Sequence, residues 1–176
     1  MSVLPVLKVG NPALWRPSKA VTQSEMREVA PLVDDLRDTL NAFKAEYGGG
    51  LAIAAPQISV LKRVVYVQVT APIVLINPIV EPLGDETVET WDNCLSYPDL
   101  LVKVRRYKTC TLTYRDLRWH EVRVSLTREM SMLVQHECDH LDGVLSVARA
   151  VDERSFCLAS EKHFIRRPAT GTVTAR

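Results

Sequence analysis

The stretch Gln135-His136-Glu137-Cys138-Asp139-His140-Leu141-Asp142-Gly143 decides how this chain is read. Two histidines four residues apart lie one turn up the same helix face, so both imidazoles can reach one metal ion. The glutamate beside the first histidine can then act on a water at that metal. A helix over residues 127–141 is expected around the motif. Thr127 stands at its N-cap, and Gly143 sits where a left-handed residue closes the C-terminus.

Two histidines do not complete a hydrolytic metal site, which usually takes three protein ligands and leaves a fourth position open. A third histidine ten residues after the first is ruled out, because Ser146 occupies that place. Glu161, about twenty residues after His140, is one candidate and Cys94 is another. A thiolate is a strong ligand, but a lone cysteine is most often a small buried apolar residue. Spacing alone separates the two only slightly.

Outward from the motif, the pattern is mixed. Met26, Val29, Leu32, Val33, Leu36, Leu40 and Phe43 recur at helical spacing, with Pro31 expected to confine the regular helix to the residues after it. Gly48-Gly49-Gly50 ends that element. Residues 63–70, 72–80, 100–107, 109–114 and 121–126 read as strands, with a connection at 115–118. A third helix is expected from about Asp152 to before Pro168, and a loose tail at 169–176. The resulting class is α+β, with mixed or antiparallel sheets around a central helix carrying HExxH, in one domain over residues 1–168.

Composition narrows the function. The chain has 176 residues, 47% apolar and 24% charged, with net charge +1. This is an ordinary globular balance that calls for neither nucleic acid nor an anionic membrane as partner. No apolar run approaches the roughly 18 residues of a membrane span, and no basic-then-apolar leader opens the sequence, so a cytoplasmic protein is expected. The four cysteines are too scattered for a disulfide scaffold.

Three segments together resemble the signatures of peptide deformylases. Gly50-Leu51-Ala52-Ile53-Ala54-Ala55-Pro56-Gln57 is similar to the first, Asn93-Cys94-Leu95-Ser96 to the second, and the HExxH stretch to the third, in the family's order. The resemblance runs over roughly residues 5–150 and also takes in the opening Leu7–Pro12 stretch and the Arg106 region. It implies that Cys94, His136 and His140 bind the metal. It implies Glu137 as general base, with Gln57 and the Leu95 N–H donating to the substrate oxygen.

The implied reaction removes the N-formyl group from formylmethionine at the start of new polypeptides. The implied ion is Fe²⁺, with Zn²⁺, Ni²⁺ or Co²⁺ as substitutes. The partners are an N-formylated peptide and, transiently, the ribosome, which Lys162, Arg166 and Arg167 could face if they are more than a solvated helix end. Asp139 either orients a ligand histidine or pairs locally.

Several positions depart from the family pattern. Ala52 replaces a glycine, Asp92-Asn93 replace Glu-Gly, Ser131 and Met132 replace Ala-Arg, and Leu101 replaces an arginine. Ser146 and Ala148 also differ. The chemistry is spared and the walls are altered, so Gly50, Ala52 and Asn93 are the candidate substrate contacts. The alternatives are a deformylase specialised for another N-formyl compound, a zinc peptidase using Glu161, and a catalytically silent binding protein.

Overall fold

A computed structural model describes residues 2–165; the expected tail, with Arg166 and Arg167, lies outside them. The segment Val64–Gln68 (β2) explains how the core is layered. Its side chains alternate, Val64 and Tyr66 to one apolar cluster, Val65 and Val67 to another. A strand covered on both faces reads as a continuous apolar run. Here two helices do the covering.

On one face lies α1 (Met26–Tyr47), burying Val29, Leu32, Leu36 and Leu40 at three- and four-residue spacing. On the other lies α2 (Arg128–Leu141), which contributes Val134 and Leu141. β2 belongs to an antiparallel sheet ordered β1-β2-β3-β6-β7, with β1 Ala52–Ala54, β3 Pro72–Pro82, β6 Thr109–Arg115 and β7 Glu121–Thr127. A second antiparallel sheet, ordered β4-β5-β8, comprises Thr87–Cys94, Tyr97–Tyr107 and Phe156–Leu158. The helix α2 touches strands of both sheets, so the expected α+β arrangement about a central helix holds.

Three expectations change. Pro31 does not confine α1, which starts at Met26 and runs through it. A proline removes a single backbone bond, and the buried Val29 and Leu32 on either side hold the first turns. The helix expected from Asp152 is instead β8 followed by a 3₁₀ segment, Ala159–Phe164. Asp152 caps a tight turn by accepting from the Arg154 N–H and the Ser155 hydroxyl. Phe156–Leu158 then pairs with Leu100–Val102 along an otherwise open edge. Thr127 is the N-cap of α2 but makes no side-chain capping bond.

Gly143 does close α2, at φ 72°. A Cβ there would sit 2.7 Å from the Trp15 carbonyl oxygen, where the N-terminal segment crosses the helix end. Ser18 N–H donates to the Leu141 carbonyl at the same crossing. Gly143→Ala therefore meets both a forbidden backbone region and a backbone clash. We expect a loss of about 1–3 kcal/mol, read as a lower urea midpoint; an unchanged midpoint would show that the crossing yields freely.

Candidate metal centre

Cys94 and the two histidines come from elements far apart in sequence. His136 and His140 project from one face of α2, ring centroids 4.9 Å apart. Cys94 ends β4, just before the Leu95-Ser96 turn into β5. The Cys94 Sγ lies 3.2 Å from His140 Nε2, and the two Nε2 atoms are 3.2 Å apart. All three residues are buried. Among the described residues they are the one group of His, Cys, Asp or Glu side chains close enough to share an ion. Glu161, the rival third ligand, is exposed on the Ala159–Phe164 segment and does not join them.

The donor set fits a metal. Three converging lone-pair donors with mutual distances of this kind are what a divalent ion needs on one side, leaving the other open. Burial opposes ionisation of Cys94, but the adjacent His140 and His136 outweigh it and hold the thiol well below its usual pKa. Burial likewise opposes protonation of His136, and the Asp92 and Cys94 beside it raise its pKa regardless. Two buried cysteines outside the cluster go the opposite way: burial raises the pKa of the Cys110 thiol and pushes the Cys138 thiol up to about 12.

What aims His136 is Asp92, whose Oδ2 lies 3.1 Å from His136 Nδ1. The same oxygen accepts from Arg106 Nη2 at 2.8 Å. Arg106 Nη1 donates to Asp139 Oδ2 at 2.5 Å, and Arg149 grips both Asp139 oxygens at 2.7 and 2.6 Å. Asp139 therefore pairs with arginines and orients no histidine. Sequence reading missed the role of Asp92, although one signal was available. Residues two apart on a strand share a face, so a carboxylate two before a candidate ligand cysteine points toward the same centre.

Gln57 sits on a 3₁₀ turn, Ala55–Ile58, directly after β1. Its Oε1 accepts from the Ala54 N–H at 2.9 Å, which leaves the amide nitrogen facing Ser96 Oγ at 3.2 Å and Cys94 Sγ at 3.6 Å. The opening segment stitches these loops together. Leu7 N–H donates to the Gln57 carbonyl, Val9 N–H to the Ser96 carbonyl, and Lys8 Nζ to the Leu95 carbonyl. Glu137 is buried with Oε2 lacking a partner among the described residues, and burial raises its pKa.

A cavity of about 580 Å³ opens on this cluster. Gln57, Cys94, Leu95, His136 and Glu137 line it, and so do all three candidate substrate contacts, Gly50, Ala52 and Asn93. Gly50 adopts φ 115°, and a Cβ on it would press on Leu40 and Phe43 at 3.2 and 3.3 Å. It is thus fixed by backbone conformation and core packing. Leu133 lines the cavity, whereas Ile53 and Val134 belong to the core. The cavity lies between the edges of both sheets, β1 of one and β4 of the other. No described helix is long and apolar enough to cross a membrane.

Residues 3–155 match the family model for polypeptide deformylase. A peptide deformylase 1 of Prochlorococcus marinus is 38% identical over 175 residues, covering 92% of this chain and 88% of that protein. One of Nitrosomonas europaea is 36% identical, covering 88% and 91%. Among solved structures, the class I type b peptide deformylase from Acinetobacter baumannii bound to Met-Ala-Ser superposes with a TM-score of 0.75. It is 30% identical, covering 84% of this chain and 98% of that one.

Proposed function

The chain belongs to the polypeptide deformylase family, and we propose from that premise that one catalytic domain, residues 1–168, uses Cys94, His136 and His140 as metal ligands and Glu137 as base to hydrolyse the formamide of N-formylmethionyl chains. The observation that carries this is the union of a buried three-donor cluster with an unpartnered Glu137 oxygen on one cavity. A structural metal has no use for a base beside it. We propose Fe²⁺ as the resident ion, with Zn²⁺, Ni²⁺ and Co²⁺ able to substitute, since a Cys-His-His set suits each of them.

The protein groups then divide the work. When bound, the divalent ion supplies Lewis acidity, easing deprotonation of a water and polarising the formyl oxygen. Glu137 accepts the proton from the attacking water and returns it to the departing amine nitrogen. Negative charge grows on the former formyl oxygen. Gln57 Nε2, aimed by the Ala54 N–H, donates to it, as does the Leu95 N–H, whose turn Lys8 holds. Each donor of this kind is worth about 10²–10³ in rate. Asp92 keeps His136 in register. An extended peptide can lie along β1 past Gly50 and Ala52, with Asn93 on the opposite wall. Newly made chains as substrate imply a cytoplasmic location and transient meetings with the ribosome.

Formate release from formyl-Met-Ala-Ser by the Fe²⁺- or Ni²⁺-loaded protein, kept free of oxygen, tests this reading. Rapid release is expected. No release from folded, metal-replete protein would exclude general deformylation of new chains and favour a specialised N-formyl substrate.

A further inference from the structure

A second cavity lies against α2. Gln135, Cys138, Asp139 and Asp142 stand at i, i+3, i+4 and i+7, so they share a face, a different one from that carrying His136 and His140. All four line a cavity of about 370 Å³, a size that takes a small organic ligand. Pro78 and Ile79 also line it, from the place where β3 loses register with β6. None of its residues lines the cavity at the metal centre.

Four arginines line this second cavity, Arg63, Arg105, Arg106 and Arg149, against two carboxylates, Asp139 and Asp142. Four less two leaves the lining with an excess of two positive charges. The other acidic partners, Glu89 and Asp92, reach Arg105 and Arg106 from β4 and are not part of the lining. Every cation present is an arginine, whose planar fork matches a carboxylate or phosphate.

The ion pairs do not use up the donors. Arg106 and Arg149 share the single Asp139. Arg149 spends Nε and Nη2 there and keeps Nη1 free among the described residues. Arg105 spends Nη2 on Glu89 and keeps Nε and Nη1. These two side chains are 46% and 59% exposed, so their spare donors are open to a ligand. Arg106 is buried behind them, with Nε unpartnered among the described residues. Beside this charge the cavity holds exposed apolar surface, with Ile79 59% and Tyr107 38% exposed.

We propose that this cavity binds a small organic anion, a phosphate monoester or a carboxylate on an apolar body. Its charge lies on Arg105 and Arg149, and its apolar part covers Ile79 and Tyr107. The site is separate from the metal centre, yet Arg106 touches both networks, donating to Asp139 on one side and on the other to Asp92, the partner of His136.

Isothermal titration of the Zn²⁺-loaded protein with phenyl phosphate tests this. Binding of one equivalent in about the millimolar range is expected, weakening as ionic strength rises from about 0.01 to 0.3 M. Inorganic phosphate should bind about tenfold more weakly, because it leaves the apolar side uncovered. Benzyl alcohol, a ring without charge, should not bind. Benzoate shows whether a carboxylate serves as well as a phosphate; binding by either anion supports the site, and binding by neither overturns it. Arg105→Gln and Ile79→Asp, both at exposed positions, should each weaken phenyl phosphate about fivefold with the thermal transition unchanged. Affinity unaltered in both variants, or lost on removal of the metal, would put the anion on the metal ion and overturn the proposal. Inorganic phosphate binding as tightly as phenyl phosphate would overturn the stated ligand class.

Discussion

Cys94→Ser is expected to leave the protein folded and without its metal. The substituted atom is a sulfur in a buried position, 3.2 Å from His140 Nε2 and within reach of His136. Serine has nearly the same shape, so the turn between β4 and β5 persists, held by the Lys8 bond to the Leu95 carbonyl and the Val9 bond to the Ser96 carbonyl. What changes is the donor. The thiol is favoured as thiolate here because two imidazoles face it, whereas a serine hydroxyl stays protonated near neutrality and is a poor ligand. Two histidines alone do not retain a divalent ion against competition. Metal content after dialysis against a mild chelator should fall from about one equivalent to near none, with formate release lost in parallel and the thermal transition of the metal-free proteins unchanged. Glu161→Gln, on its exposed segment, should keep full metal content. If Cys94→Ser retained its ion while Glu161→Gln lost it, the ligand assignment would be reversed and a peptidase-like site would stand in its place.

How far such a site can be read from sequence depends on the range of the interactions that build it. His136, Glu137 and His140 are legible because helix geometry alone brings them together, and nothing beyond α2 is needed. The proposed third ligand is not legible from spacing, since Cys94 and His136 are 42 positions apart and the gap closes only when α2 packs against β5, the hairpin partner of β4. Spacing leaves Cys94 little above Glu161, and only the three signatures in order raise it. The strands β2, β6 and β7 show in sequence because each is rich in apolar or β-branched residues. β4 does not, because Glu89, Asp92 and Asn93 break its apolar pattern. Their polarity is tolerated because Arg105 pairs with Glu89 and Arg106 with Asp92, partners that appear only once β5 is laid beside it. The segment after Asp152 reads as a helix in sequence for a related reason. Whether Phe156–Leu158 coils or extends is settled by the free edge of β5, a tertiary feature. The chain from His136 through Asp92, Arg106 and Asp139 to Arg149 is likewise invisible until β4, β5 and α2 are packed.

Glu137→Gln carries the other large effect, and it separates chemistry from metal binding. The glutamine is isosteric, and Glu137 is not among the three converging donors, so the ion should remain at full content. The proton acceptor is lost. General-base catalysis by a positioned side chain contributes about 10²–10⁴, and kcat should fall by that amount with KM little altered. The pH dependence gives an independent sign. With Glu137 as the proposed base, the carboxylate form is the active one, so the wild-type rate should fall as pH drops through the Glu137 pKa. Burial, the largest influence on that group, raises the pKa above the ordinary glutamate value of 4.5, so the acid limb of kcat/KM should lie above pH 4.5. In Glu137→Gln that limb should vanish, leaving a low and flat rate wherever the metal stays bound. A variant that lost metal as well as rate would place Glu137 among the ligands' supports. A variant that kept both its rate and its acid limb would mean that another group moves the proton. The buried, unpartnered Oε2 argues against both outcomes. Stranding a carboxylate oxygen away from water costs stability, and a fold bears that cost where the oxygen is needed to meet a substrate or its water.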